Sequence, residues 1–184
     1  ETTDADADAN YPPAVPKTEL EMVAFVDADF AHDKVTSRSI SGEAIYLGGA
    51  LVSWSAKRQT TVATSTFASE YNALKRVVET IRALRFTLRS LGIEVTRAAK
   101  VFCDNLGTVK SATLESTALK ARHELVAYHA VRSAVASGLV TINHVASEDN
   151  RADLLTKGFA RMAHARLVGL LMVAPDGEQE DADG

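Results

Sequence analysis

Met22-Val23-Ala24-Phe25-Val26-Asp27 decides how this chain folds. A short run of β-branched and aromatic residues makes a strand, expected over residues 21 to 27. A strand that ends in a carboxylate carries it to the rim of a sheet. Lys100-Val101-Phe102-Cys103 runs into Asp104 in the same way, with a strand expected over residues 99 to 103. Outward from the first strand, a polar loop over residues 29 to 39 leads to two strands near residues 41 to 47 and 50 to 56. Gly48-Gly49 between them is a hairpin signal. Leu74, Val77, Val78, Ile81, Leu84, Leu88 and Leu91 then recur at three-to-four spacing, which makes residues 66 to 90 one helix with an apolar stripe. Ser65 or Thr66 can cap its start and Gly92 its end.

Further helices are expected over residues 106 to 113 and 118 to 137, the latter stopped by Gly138. A strand over residues 139 to 145 and an amphipathic helical stretch over residues 161 to 173 follow. The order β-β-β-α-β-α-α-β-α implies an α/β fold with a mixed sheet, antiparallel on one side, parallel on the other, and flanked by helices. Ligands of such open sheets gather beyond the carboxyl ends of central strands. Asp27 and Asp104 would stand side by side there.

With 184 residues, 46% hydrophobic and 24% charged, the chain is expected to be one soluble domain over residues 19 to 173. No run approaches the ~18 apolar residues of a membrane span, and the acidic start does not suit a secretory signal. Residues 1 to 18, acidic and broken by prolines, read as linker, and residues 174 to 184 as a disordered acidic tail. The net charge of −4 hides a basic centre: without the four acids and Lys17 of the first segment and the five acids of the last, 15 acids face 19 bases, a net of +4. That balance permits approach to a polyanion. Lacking an initiator Met, the chain reads as a piece of something longer, and its single cysteine, Cys103, as a small core residue in a reducing compartment.

Glu70 and Asp153 are expected to open helices, so four carboxylates, Asp27, Glu70, Asp104 and Asp153, stand at the mouths of four elements. Singly, each has an ordinary explanation as a turn cap or a partner of a helix dipole. Together they suit hard divalent cations held by oxygen ligands, as in phosphodiester hydrolysis with two ions about 4 Å apart. The five histidines lack metal-ligand spacing, which argues against zinc.

Local strings add a family. Phe25-Val26-Asp27-Ala28-Asp29-Phe30-Ala31, Ser41-Gly42 with Leu47-Gly48-Gly49, Val52-Ser53-Trp54-Ser55-Ala56-Lys57-Arg58-Gln59, Thr64-Ser65-Thr66-Phe67-Ala68-Ser69-Glu70-Tyr71, Cys103-Asp104-Asn105 and Ala152-Asp153-Leu154-Leu155-Thr156-Lys157 resemble, in order, the ribonuclease H domain of copia-type retrotransposon polyproteins. The resemblance spans about residues 22 to 172. It implies a ribonuclease H-like fold with a five-stranded mixed sheet, and hydrolysis of the RNA strand of RNA:DNA hybrids with two Mg²⁺ or Mn²⁺. Asp27 would bridge both ions, Asp153 would serve the ion that activates water, and Glu70 with Asp104 the ion near the leaving oxygen. An upstream reverse transcriptase domain and a cytoplasmic setting, in a virus-like particle where the parent element is active, are implied with it. A catalytically idle binding module, or an integrase, resolvase or exonuclease of the same fold, are the rival readings.

Hybrid recognition should rest on phosphate contacts and on donors that detect ribose. Candidates are Asn105, Gln59 with Lys57 and Arg58, and Arg38 with Ser39. Ser37-Arg38-Ser39-Ile40-Ser41-Gly42 has one basic residue fewer than the family's Arg-Lys-Ser-Thr-Ser-Gly. Arg122-His123, His129 and Arg132 keep a basic helix face into which Glu124 inserts an acid. The loop Ala146-Ser147-Glu148-Asp149-Asn150 lacks the histidine that relatives often place before the last aspartate. Glu148 is a candidate substitute, and His144, inside a strand, is expected to be structural. Trp54 is expected in the core, since Val52, Trp54 and Ala56 share a face.

Overall fold

A computed structural model describes residues 20–113 and 125–175. The linker expected over residues 1 to 18, residues 118 to 124 of the helix expected over residues 118 to 137, with Arg122, His123 and Glu124, and residues 176 to 184 of the expected tail lie outside the described residues. The described chain runs β1 (Met22–Asp29), β2 (Ile40–Leu47), β3 (Ala50–Arg58), α1 (Thr66–Ser90), β4 (Ala99–Cys103), α2 (Leu106–Thr113), α3 (Leu125–Ala136), β5 (Val140–His144), two 3₁₀ helices at Ser147–Asp149 and Arg151–Leu155, and α4 (Arg161–Met172).

The sheet has five strands in the order β3-β2-β1-β4-β5. β1, β2 and β3 pair antiparallel, while β4 and β5 join parallel to β1. Gly48 and Gly49 turn the β2–β3 hairpin with φ of 56° and 83°, conformations that cost a side chain dearly. The mixed sheet expected from the sequence is therefore present.

Alternation along β1 splits the core in two. Ala24, Val26 and Ala28 meet Leu74, Val77, Val78 and Ile81 of α1, with Val131 and Ala134 of α3 completing that side. Val23 and Phe25 face the other way, toward Ala44, Tyr46, Ala152 and Leu171. α1 begins where Ser65 accepts a hydrogen bond from Ala68 N at 3.0 Å, and ends as Gly92 takes φ 78°. The stripe expected along this helix is buried as far as Ile81, whereas Leu91 is exposed at its end.

Two expectations need correction. Trp54 is 62% exposed. It does share a face with its cross-strand partner Ala44, but β3 is the edge strand, and the cover on that face sits over β1 and β2. Asp153 does not open a long helix: it lies in the 3₁₀ helix Arg151–Leu155, where i→i+3 bonds tighten the turn, and α4 starts separately at Arg161. In α4, Leu167 and Leu171 are buried as an i,i+4 pair, while Met162 at the first turn is exposed.

Candidate active site

Parallel pairing sets Phe25 of β1 opposite Phe102 of β4. Two residues further on, at the carboxyl ends of both strands, Asp27 and Asp104 are level with each other. Glu70 arrives from the α1 side of the sheet, on the fifth residue of a helix whose start is fixed by Ser65. Asp153 arrives from the opposite side. The four expected carboxylates therefore approach one edge along four separate paths.

Carboxylate oxygens of Asp27, Asp104 and Asp153 all lie within 4.8 Å of one another. Glu70 stands beside this trio and lines the same cleft, of about 610 Å³, with Asp27, Asp104, Asn105, Phe30 and Lys157. Asp27, Glu70 and Asp153 are buried, while Asp104 is half-buried. Burial pushes the Glu70 carboxyl up to about 8, helped by the charges of Asp27 and Asp104. Burial also lifts Asp153 to about 6, with Asp27 adding to it and Lys157 opposing. Asp27 is raised for the same first reason, against the pull of Thr156 and Lys157. These are groups that resist ionising until a cation joins them.

The donor set suits a hard divalent cation, since every ligand offered is a carboxylate oxygen. Buried Asp153 Oδ1 has no hydrogen-bond partner among the described residues, so it has a lone pair to spare. The Cys103 thiol lies 3.8 Å from Glu70 Oε2, fully buried, and burial raises its pKa. It acts as a neutral neighbour.

Asp153 is held in place by residues that the sequence does not mark as functional. Thr156 Oγ1 donates to Asp27 Oδ2, tying the end of the 3₁₀ helix to β1. Asn150 Nδ2 donates to Val26 O at 3.1 Å, and its Oδ1 caps Ala152 N at 3.2 Å. Gly42, cross-strand from Asp27, leaves the room: a Cβ there would lie 2.7 Å from Thr156 Cγ2 and 2.9 Å from Ala152 O. Gly42, Thr156 and Lys157 stand inside the quoted family strings. Asn150 carries the one independent signal, a residue type favoured just ahead of a helical turn. Ser147 Oγ, rather than Glu148, reaches the site, donating to Asp104 Oδ2 at 3.0 Å.

Known proteins bear on this arrangement. The chain is 33% identical over 159 residues to the retrovirus-related Pol polyprotein from transposon RE1 of Arabidopsis thaliana, a match over 85% of this chain and 11% of the relative. It is 29% identical over 136 residues to the Pol polyprotein from transposon TNT 1-94 of Nicotiana tabacum, over 74% of this chain and 10% of the relative. In structure it resembles LC11-RNase H1, isolated from compost by a metagenomic approach, with a TM-score of 0.55 at 15% identity, covering 80% of this chain and 98% of the other. RNase H1 from Halobacterium salinarum gives the same TM-score at 18% identity, covering 74% and 94%. The chain is a ribonuclease H-like homologue of copia-type transposon Pol polyproteins. It spans about a tenth of the length of the curated relatives it matches. No protein-family model matches it. Among the described residues no helix is long and apolar enough to cross a membrane.

In this ribonuclease H-like domain the six candidate substrate residues occupy two neighbourhoods. Asn105 lines the acidic cleft and accepts from Thr108 N at 3.1 Å, capping α2. Lys57, Arg58 and Gln59 border a second groove of about 360 Å³ with Asn72, Lys75 and Arg76. Strand register puts Lys57 two strands away from β1, roughly 10 Å at ordinary strand spacing. Gln59 is a brace between β3 and α1: its amide donates to Ser41 Oγ and Ser69 O, both at 2.9 Å, and accepts from Asn72. Ser39 is buried, and its Oγ accepts from Ala31 N. Arg38 is half-buried beside it, with its carbonyl taken by Asp33 N. Arg58 reaches back to Asp33 at 2.7 Å. His144 ends β5 with its ring exposed, and Arg132 donates to Tyr128 OH on α3.

Proposed function

We propose that this domain is an endoribonuclease that hydrolyses the RNA strand of an RNA:DNA hybrid. The observation that carries the reading is the convergence of Asp27, Asp104 and Asp153 on one point with Glu70 lining the same cleft, each delivered by a different element. Two Mg²⁺, with Mn²⁺ as a substitute, are the fitting cofactors, and when bound they supply the Lewis acidity that makes water nucleophilic and offsets charge on the leaving oxygen. Asp27, Glu70, Asp104 and Asp153 would hold them, with Asp27 as the ligand that both would use. Asp153 would serve the side of the attacking water, and Glu70 with Asp104 the side of the leaving oxygen. Water adds across the P–O3′ bond, its oxygen joining phosphorus while O3′ departs with a proton. The products carry 3′-hydroxyl and 5′-phosphate ends.

The rest of the cleft binds and orients. Asn105 is placed to meet the strand that is cut. Lys57 and Arg58, with Arg38, offer charge to phosphates farther along the duplex, while Gln59 and Ser39 hold the backbone that presents them. The Pol relatives favour a polyprotein setting in which a reverse transcriptase lies upstream and the hybrid is its product, in the cytoplasm or within a virus-like particle.

Cleavage of a labelled hybrid, beside double-stranded RNA and double-stranded DNA, tests the reading. Metal-dependent loss of only the RNA strand is expected, stopped by EDTA and by Asp27→Asn in a folded protein. Cleavage that survives Asp27→Asn sinks the assignment, and binding of hybrid without cleavage favours an idle module.

A further inference from the structure

Three carboxylates gathered within 4.8 Å, two of them buried, need positive charge nearby even when no ion is bound. Lys157 provides it. Its Nζ lies 2.9 Å from Asp153 Oδ2 and 3.4 Å from Asp27 Oδ1, bridging the two. The residue follows Asp153 at i+4, directly after Thr156, so the turn that delivers the carboxylate delivers the ammonium too. About a third of the side chain, 36%, remains exposed, and its four-carbon stem reaches the cleft opening. It can swing out without disturbing the core.

We propose that Lys157 is a tethered cation that fills the Asp27–Asp153 half of the site when no divalent ion is there, and that an ion entering that half must displace it. The proposal rests on the two-ion reading above and adds an order of loading to it. On the other half, the hydrogen-bonding side-chain neighbours of Glu70 and Asp104 are the Cys103 thiol and the Ser147 hydroxyl, both neutral, and the Lys157 charge acts there only from across the cleft. An ion entering there has no cation bonded to Glu70 or Asp104 to displace and meets the ammonium only at Asp27. The two halves therefore differ in affinity, the Asp104–Glu70 half filling first and the Asp27–Asp153 half second. The ammonium also keeps Asp27 and Asp153 from repelling each other between turnovers, so the metal-free site is preserved rather than sprung.

Calorimetric titration of the wild-type domain with Mn²⁺ should show a tighter and a weaker site. In Lys157→Met, folded by circular dichroism, the weaker site should tighten about tenfold, while Lys157→Arg keeps it weak. With EDTA present, Lys157→Met should melt below wild type, and Mn²⁺ should raise its melting temperature by more. An independent reading comes from the wild type alone: under Mg²⁺ titration the Lys157 ¹³Cε resonance should move as the weaker site fills. Unchanged or weakened second-site affinity in folded Lys157→Met, or a Lys157 resonance fixed through saturation, overturns the proposal while leaving the two-ion reading intact. No Mn²⁺ binding by either protein overturns both.

Discussion

One face of the sheet carries a deep core, in which β1, β4 and β5 are roofed by the 25-residue α1 and by α3, while the other face carries a thin cover of one 3₁₀ helix and the end of α4. The first face buries Leu74, Val77, Val78 and Ile81 completely. The second is held mainly by particular contacts: Arg151 stacks its guanidinium over the rings of Phe25 and Tyr46 at 5.0 and 5.2 Å, and donates to the carbonyls of Leu170 and Val173 at the end of α4. Tyr46 OH donates to Leu171 O at 2.7 Å. The deep face makes the domain stable and mounts Glu70. The thin face brings Asp153 to Asp27, and its stability matters mostly at that point.

Leu74→Ala on the deep face should cause the largest loss, about 2–5 kcal/mol, because a fully buried side chain leaves a cavity among packed neighbours. Urea unfolding would measure it, and cleavage should fall only as far as the folded fraction does. A loss of activity far beyond the unfolded fraction would erase the division between the faces. Gly42→Ala on the thin face should cost less, about 1–3 kcal/mol, since the new methyl meets the Ala152 backbone and Thr156. Cleavage should drop by roughly 100-fold, out of proportion to stability, as Asp153 is pushed from its place. A variant that cleaves normally would show that the close approach is dispensable.

The last effect is graded rather than abrupt, a pH slope where the faces meet. Glu70 titrates near 8 instead of 4.5 and Asp153 near 6 instead of 3.8, so the metal-free folded state holds protons that the unfolded chain has released. Its stability should fall as pH rises through these windows, by at most about 1.4 kcal/mol per unit for each group titrating. Melts in EDTA at pH 5, 6.5 and 8 would measure the slope, and Mg²⁺ should flatten it. Stability that climbs toward pH 8 without metal contradicts the burial of these carboxyls.

The same division governs what the sequence discloses. Elements of the deep face are written in local pattern: the stripe of α1, the apolar run of β1 and the glycines at the turns all follow from residue type and spacing. Asp27 and Asp104 were legible as strand-end carboxylates, and Glu70 as an acid near a helix start. Asp153 was legible as a residue, but its 3₁₀ setting was not, because five residues are too few for a period to show. Thr156 and Asn150 act through contacts across more than 120 residues, which no local pattern encodes. Trp54 misled for a related reason: alternation tells which residues share a face, but not whether anything covers that face at the sheet's edge.

The bond from Thr156 to Asp27 spans 129 positions along the chain, and that from Asn150 to Val26 spans 124. Contacts so far apart in sequence close the largest loops, and the entropy of closure delays them relative to hairpin and helix. During synthesis the sheet can therefore be in place while the acidic trio is still missing a member. The proposed site is completed last, and a chain severed between Asn150 and Thr156 should keep its scaffold of α1 and sheet but lack the finished acidic trio.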